Sequence, residues 1–339
     1  MGRLNRILLV DRIEEIAEQR LGASAELVRS GGQSTNDIAA AASDVDAIIV
    51  RTSALTSEIL AGAARLRVIG KHGVGLDNVD VGYATERGVV VVHTPNVNTT
   101  AVAEFTLCCI LLLLRPIIAG EQALRTGAFR DGRSLVEQIS RLALVGREIG
   151  GQTIGVIGWG AIGRRVGTAV SSLGARVVAY DPFLPTAALQ AGDAVFVSEL
   201  DDLLARADVV TLHVPLTPQT AGLIGSRELR VMQQHAALVN TSRGGVVDEE
   251  ALATALGKGK IRAAAIDVFS CEPPPTDHPL FTLDNVICTP HLGGATTEAV
   301  RRMAEDVVDG VLAVLAGDIP RGVVNPQVVG MRASGRGPR

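Results

Sequence analysis

Three side chains of this 339-residue sequence could cooperate in one proton transfer, namely Arg243, Glu272 and His291, each placed just after a short run rich in Val, Ile and Ala. Ala236 to Asn240 leads into Thr241-Ser242-Arg243-Gly244-Gly245. Ala263 to Asp267 leads into Val268-Phe269-Ser270-Cys271-Glu272-Pro273, and Asn285 to Cys288 into Thr289-Pro290-His291-Leu292-Gly293-Gly294. A guanidinium can clamp a carboxylate through its planar fork. A histidine can carry the proton that accompanies hydride transfer, and a neighbouring glutamate can orient its ring and stabilise the cation. Singly these are ordinary residues, because most lone histidines are structural, most arginines sit on surfaces and Glu-Pro is a common loop dipeptide. Beside a redox cofactor the three make a chemical set. The other histidines, His72, His93, His213, His235 and His278, have no comparable partners along the sequence and read as structural.

A cofactor is implied by Thr153-Ile154-Gly155-Val156-Ile157-Gly158-Trp159-Gly160-Ala161-Ile162-Gly163. It places Gly-x-Gly-x-x-Gly between a strand and a helix. Gly158 makes the tight turn, Gly160 admits a pyrophosphate to the backbone, and Gly163 lets helix and strand pack closely. The helix start at Ala161 and Ile162 then offers amides and dipole to the anion. The following strand ends at Tyr180-Asp181, where a carboxylate can hydrogen-bond both hydroxyls of an adenosine ribose. It would repel a 2′-phosphate, and Pro182-Phe183-Leu184 supplies no arginine to offset this, so the expected cofactor is NAD rather than NADP.

Such residues need a sheet to position them. Short apolar runs alternating with segments of helical period predict an α/β fold with parallel strands. Ile7 to Val10, Ala47 to Val50, Arg67 to Gly70 and Val89 to Val92 form a first series. A helix over about Thr100 to Ala119 leads away from it, and Thr126 to Ser134 reads as a connection. A second series comprises Thr153 to Ile157, Arg176 to Tyr180, Val209 to His213 and the three runs that precede the candidate triad, six strands in all. Ser198 and Asp248 look like helix caps. A helical pattern from about Thr297 to Ala316 follows the completed second sheet and is expected to return to the first domain. The Gly/Arg/Pro-rich end, 331–339, is expected to be disordered.

The composition narrows the function classes. With 32 Lys+Arg against 36 Asp+Glu, a net charge of -4 and 3% aromatic residues, the chain lacks the basic footprint and stacking platforms of a nucleic-acid binder. Its longest apolar run, Phe105 to Leu114, is too short to span a bilayer, so no membrane partner is expected. The N-terminus carries no secretory signal pattern, and a cytoplasmic location is expected. Four cysteines without Cys-x-x-Cys spacing read as free thiols, and no metal site is expected. Glycine is in excess, 37 of 339 residues, as close backbone approach to a ligand requires.

On these motifs the chain resembles the D-isomer-specific 2-hydroxyacid dehydrogenases, above all their phosphoglycerate dehydrogenase branch. The resemblance runs from about Ile7 to Pro326. It rests on Gly73-Val74-Gly75-Leu76-Asp77-Asn78-Val79-Asp80, the glycine fingerprint with Asp181, His213-Val214-Pro215-Leu216-Thr217, Asn240-Thr241-Ser242-Arg243-Gly244, Asp267-Val268-Phe269 with Glu272-Pro273, and His278-Pro279-Leu280-Phe281 leading to Thr289-Pro290-His291. It implies that Arg243, Glu272 and His291 are catalytic and that the Val74 and Gly75 amides meet the substrate carboxylate. It also implies that Val214, Pro215, Thr241, Asp267 and Gly294 line the cofactor, with Asp267 taking the nicotinamide amide. The fold implied has two doubly wound parallel-sheet domains. A Rossmann-type NAD domain (101–294) is inserted in a flavodoxin-like substrate domain (1–100 plus 295–330). Family members are commonly homodimers. Arg130 to Leu144 departs from the family's Trp- and Phe-containing segment, and the resemblance leads us to expect a short form without a C-terminal regulatory domain.

Arg51 and Lys71 directly follow strands of the first series, so two cations could meet a second anionic group on the substrate. This makes 3-phosphoglycerate the leading small-molecule substrate; a sulfonate, a phosphonate or a second carboxylate fits the same cations. Hydroxypyruvate or glyoxylate reduction is an alternative, as is formate oxidation, which the Glu272 beside His291 disfavours. An alternative of another class is an NAD-sensing corepressor of the C-terminal-binding-protein type, although no peptide-docking extension is evident.

Overall fold

Ile7 and Leu9 pack into one apolar cluster and Leu8 and Val10 into another, the alternation of a strand buried on both faces. The computed structural model describes residues 3–130, 132–184 and 194–333. The chain divides into two α/β units, Met1–Asn98 with Thr296–Arg339, and Thr99–Ala295. Its elements begin with β1 (Asn5–Leu9), α1 (Glu15–Gly22), β2 (Ala25–Arg29), α2 (Thr35–Ala42), β3 (Ala47–Val50), α3 (Ser57–Ala61), β4 (Val68–Lys71), α4 (Val81–Glu86) and β5 (Val90–Val92). Next come α5 (Thr99–Leu114), α6 (Ile117–Arg125), α7 (Leu135–Arg141), β6 (Thr153–Ile157), α8 (Ala161–Ser172), β7 (Arg176–Tyr180) and β8 (Ala194–Phe196). Then follow α9 (Leu200–Arg206), β9 (Val209–Leu212), α10 (Ser226–Val231), β10 (Ala237–Asn240), α11 (Glu249–Gly257), β11 (Ala263–Ile266) and β12 (Val286–Cys288). The chain closes with α12 (Thr297–Ala316) and α13 (Pro326–Ala333).

The first unit holds a five-stranded parallel sheet of order β2-β1-β3-β4-β5, the flavodoxin-like order. The helix α12 lies on β4 and β5 and packs against α1, burying Ala304, Val307, Val308, Val311 and Val314 against Ile7, Leu9, Ile49 and Val68. The second unit holds a seven-stranded parallel sheet of order β12-β11-β10-β9-β6-β7-β8, the Rossmann order with one further strand. Ile154, Val156, Val177, Val209 and Val239 share a cluster with buried residues of α5 and α8, and the opposite face packs Val178, Val210, Leu212, Leu238 and Ile266 against α9, α10 and α11.

The folded chain departs from the sequence expectations in several places. The edge strand β2 escapes the apolar-run criterion because it is only partly buried and reads Ala-Glu-Leu-Val-Arg, and β8, a three-residue Ala-Val-Phe run, is not among the expected strands; the second sheet therefore has seven strands rather than six. The helix expected over Thr100 to Ala119 breaks at Arg115-Pro116, and α5 and α6 meet at 64° because proline cannot continue the backbone ladder. Asp248 does cap α11 by accepting from the Ala251 amide, but α9 starts after Glu199 without a side-chain cap, so Ser198 does not serve there. Residues 331–333, expected to open a disordered tail, continue α13, which starts on Pro326 and buries Val328; residues 334–339 lie outside the described residues. Among the described residues no single helix is long and apolar enough to cross a membrane, and half of the α5 residues are buried.

The contact of β4 with α12 depends on Gly70. A Cβ there would stand 2.5 Å from Val311 Cγ2 and 2.9 Å from Val307 Cγ2. Gly70→Ala is expected to cost about 1–3 kcal/mol through overpacking. In urea unfolding the midpoint should fall while the slope stays the same; a midpoint equal to the parent's would mean that α12 yields freely.

Candidate active site

The carboxyl ends of β6 and β9, where the strand order reverses, are where an open α/β sheet binds ligands. At this point β6 turns into α8 through Gly158, whose φ is +89°, and a Cβ on it would lie 2.5 Å from the His213 carbonyl oxygen. A Cβ on Gly163 would stand 2.0 Å from the Gly158 carbonyl oxygen, so strand and helix meet at a distance that only glycine allows. Gly160 has nothing within 4 Å of where its Cβ would be. The α8 ladder begins with the Arg164 amide on the Gly160 carbonyl, which leaves the amides of Ala161, Ile162 and Gly163 outside it. Open space in front of unladdered amides at a helix N-terminus fits a dinucleotide pyrophosphate. Asp181 follows β7; its Oδ2 accepts from the Trp159 amide at 2.8 Å and its Oδ1 from the Phe183 amide at 3.0 Å, so the acid is locked to the glycine turn.

Of the other residues assigned to the cofactor, Val214 is half-buried and Pro215 exposed after β9, and Gly294 is half-buried in the histidine loop. Thr241 is buried, its hydroxyl 2.8 Å from that of Thr106 on α5. Asp267 follows β11 and is 2% exposed. Its Oδ1 accepts from Thr289 Oγ1 at 2.6 Å and the Leu292 amide at 2.7 Å, and its Oδ2 from the Gly293 amide at 2.8 Å. Burial pushes the Asp267 carboxyl above its ordinary range despite these hydrogen bonds and the nearby His291.

The loop that Asp267 gathers carries His291 in the left-handed region, with φ +56° and its amide donating to the Asp267 carbonyl at 2.8 Å. This turns Nδ1 onto Glu272 Oε2, 2.8 Å away, with the two side chains 49% and 39% exposed. A carboxylate only accepts, so Nδ1 holds its hydrogen and Nε2 is the ring nitrogen that can pass a proton to a substrate. Burial alone would raise the Glu272 carboxyl. Hydrogen bonds from His291 and the Phe269 amide, with the charges of His291 and Arg243, bring it below its ordinary range. Glu272 is thus ionised at neutral pH and faces the His291 ring. Arg243 stands close enough to act on Glu272 electrostatically. It leaves the turn that Asn240 ties by accepting from Ser242 and donating to the Arg243 carbonyl, and its Nη1 donates to the Ser242 carbonyl at 2.6 Å.

The first unit holds the remaining candidates. Val74 and Gly75 are half-buried, and the Val74 carbonyl is 2.9 Å from His93 Nδ1. Lys71 is buried, its ammonium donating to the Arg51 carbonyl and, at 2.7 Å, to Asn78 Oδ1. The Arg51 guanidinium, 39% exposed, lies 3.9 Å from Glu14. Three histidines that read as partnerless do have carboxylate partners: His72 with Glu14 at 2.8 Å, His235 with Asp208 at 2.7 Å and His278 with Glu249 at 2.9 Å. These partners are too distant in sequence for any local pattern to announce them. His213, pushed down to about 3 by burial, stays neutral. The four cysteines are free, and burial pushes the Cys109 thiol up to about 12 and Cys288 to about 11.

A parallel sheet with a glycine turn of the dinucleotide-binding kind, a histidine-carboxylate pair and an arginine at its rim fits nicotinamide chemistry. The family profile described as "D-isomer specific 2-hydroxyacid dehydrogenase, NAD binding domain" matches residues 107–293. A D-3-phosphoglycerate dehydrogenase of Methanocaldococcus jannaschii is 39% identical over 94% of this chain and 59% of its own length, so the chain spans about three fifths of that relative. A glyoxylate reductase of Thermofilum pendens is 40% identical over 85% of this chain and 84% of its own. Among solved structures, the NADPH-dependent glyoxylate/hydroxypyruvate reductase of Sinorhizobium meliloti, in complex with NADP and malonate, superposes with a TM-score of 0.84 at 28% identity, over 95% of this chain and 97% of that one. The chain belongs to the D-isomer specific 2-hydroxyacid dehydrogenases, and its second unit contains their NAD-binding domain.

Glu272→Gln removes the negative charge that faces the His291 ring at 2.8 Å. The alkaline limb of the reduction profile should therefore move to lower pH. A limb that stays in place would separate Glu272 from the proton transfer.

Proposed function

We propose that the protein is an NAD-dependent oxidoreductase that interconverts a D-configured 2-hydroxy acid and its 2-oxo acid. The 2.8 Å contact between His291 Nδ1 and Glu272 carries this reading, because it presents Nε2 as the proton donor. Arg243 orients the substrate carboxylate through its fork, and the family resemblance adds the Val74 and Gly75 amides as further donors to that carboxylate. A reduced nicotinamide held at this edge would supply the hydride for the carbonyl carbon. His291 donates its Nε2 proton to the carbonyl oxygen while Glu272 holds the ring, and in oxidation it takes that proton back. The amides of Ala161, Ile162 and Gly163 would hold the pyrophosphate, and Asp181 would favour NAD over NADP by repelling a 2′-phosphate. Val214, Pro215, Thr241, Asp267 and Gly294 complete the cofactor's surroundings.

For the substrate, Arg51 favours a second anionic group, with 3-phosphoglycerate as the leading candidate. A second reading, hydroxypyruvate or glyoxylate, is favoured by Glu14 beside Arg51 and by the engagement of the Lys71 ammonium within its own unit. The proposed partner is a second copy of the chain. On α6 and α7, Ile117, Ile118, Leu124, Leu135 and Val136 are exposed apolar residues that a monomer would leave in water.

His291→Ala should lower turnover by about 10² to 10⁴ while NADH affinity is kept; unchanged turnover would refute the assignment. A panel of phosphohydroxypyruvate, hydroxypyruvate and glyoxylate with NADH, followed at the nicotinamide absorbance, decides the tail. Preference for the phosphorylated acid supports Arg51 as its partner, and faster reduction of the uncharged-tail acids selects the second reading.

A further inference from the structure

Glu249, the first residue of α11, is engaged on both oxygens. Oε1 accepts from the Ser270 amide and hydroxyl, each at 2.7 Å, and Oε2 lies 2.9 Å from His278 Nε2. The Leu280 amide donates to His278 Nδ1 at 3.3 Å, so the ring hydrogen sits on Nε2 and points at Glu249. Both side chains are largely buried, 14% exposed for Glu249 and 8% for His278, and the histidine ring stands edge-on to Phe269 with centroids 5.3 Å apart. A carboxylate at a helix N-terminus with three donors is a firm anchor. What it anchors is Ser270, two residues before Glu272.

The segment between the anchor and the catalytic carboxylate has little freedom left. The Phe269 amide donates to Glu272 Oε1 at 3.1 Å, which leaves Oε2 for His291. On its other side the Phe269 backbone touches Gly244, where a Cβ would lie 2.0 Å from the Phe269 carbonyl carbon, next to Arg243. The Glu249–His278 pair therefore backs the Glu272–His291 pair through one short stretch of chain. The charged groups around the catalytic pair are Arg243, which acts on Glu272, and Asp267, behind His291. Glu249 meets the segment that carries Glu272 at Ser270, and its partner His278 packs on Phe269.

We propose that Glu249, held by His278, is a positioning residue that fixes Ser270 and so sets the contact of Glu272 with His291. This rests on the catalytic reading of Glu272 and His291. A carboxylate displaced by even a fraction of an ångström would stabilise the protonated imidazole less, and the reaction would lose its proton donor at lower pH. A merely structural carboxylate would change the melting temperature alone.

The test compares Glu249→Gln, which keeps shape but loses the charge and the acceptor facing His278, with Ser270→Ala, an exposed change that removes one of the bonds to Glu249. Glu272→Gln runs beside them. The readouts are the pH profile and kcat of reduction of the best panel substrate, KM for NADH, and the His291 ring titration by NMR. Glu249→Gln should lower kcat on the order of tenfold, leave KM for NADH within about twofold, and move both the alkaline limb and the His291 titration to lower pH. Ser270→Ala should move them less, in the same direction. If Glu272→Gln shifts the His291 titration while both other variants keep the parental titration and kcat, positioning by Glu249 is wrong and the catalytic reading stands. If Glu272→Gln itself leaves them unmoved, the catalytic reading fails with it. Should Glu249→Gln not fold, the presence or absence of the Ser270→Ala shift decides alone.

Discussion

Asp267 sits nearly buried at the end of β11, and the loop that bears His291 closes around its carboxylate. A buried carboxyl group is costly unless donors satisfy it, and Thr289, Leu292 and Gly293 supply them. In exchange those residues lose their freedom, and His291 is held between them with a left-handed backbone. Without this gathering the imidazole would sit on an ordinary exposed loop with no reason to face Glu272. The electrostatics of the site follow from this constraint, because the position of the ring decides which nitrogen meets the carboxylate and which is left for substrate.

The sheet contributes in a different way. Parallel strands put all their carboxyl ends on one edge, so residues after β6, β9, β10, β11 and β12 share that edge although they are far apart in the chain. Arg243, Glu272 and His291 each follow one of these strands, and Asp181 follows β7 on the other side of the glycine turn. The close contacts at Gly158 and Gly163 keep α8 tight against β6 and aim its first amides at the same edge. The amides proposed for the cofactor's phosphates and the proposed proton donor thereby share one rim through strand direction alone.

What the chain alone determined is considerable. The apolar runs announced ten of the twelve strands, because a strand buried on both faces must be continuously apolar. The edge strand β2, with Glu26 and Arg29, lacks that requirement, and β8 is an apolar run of only three residues. The glycine turn, and the places of Asp181, Arg243, Glu272 and His291 after their strands, were legible because turn geometry and close packing demand glycine there and the apolar runs mark the strand ends. Pro116 was visible too, yet the helical period runs on past it, and the structure bends there as the ring dictates.

Tertiary structure decided the rest, namely which distant groups pair. Glu249 with His278, Glu14 with His72 and Asp208 with His235 join parts of the chain that no local period relates. The same holds for Lys71, whose charge looked available for a ligand in one dimension and is engaged by Arg51 and Asn78 in three. Local propensity and spacing act over a few residues, and they can say that a histidine follows a strand. Whether a carboxylate meets it depends on loop closure and packing across the whole sheet edge, and those are properties of the folded chain.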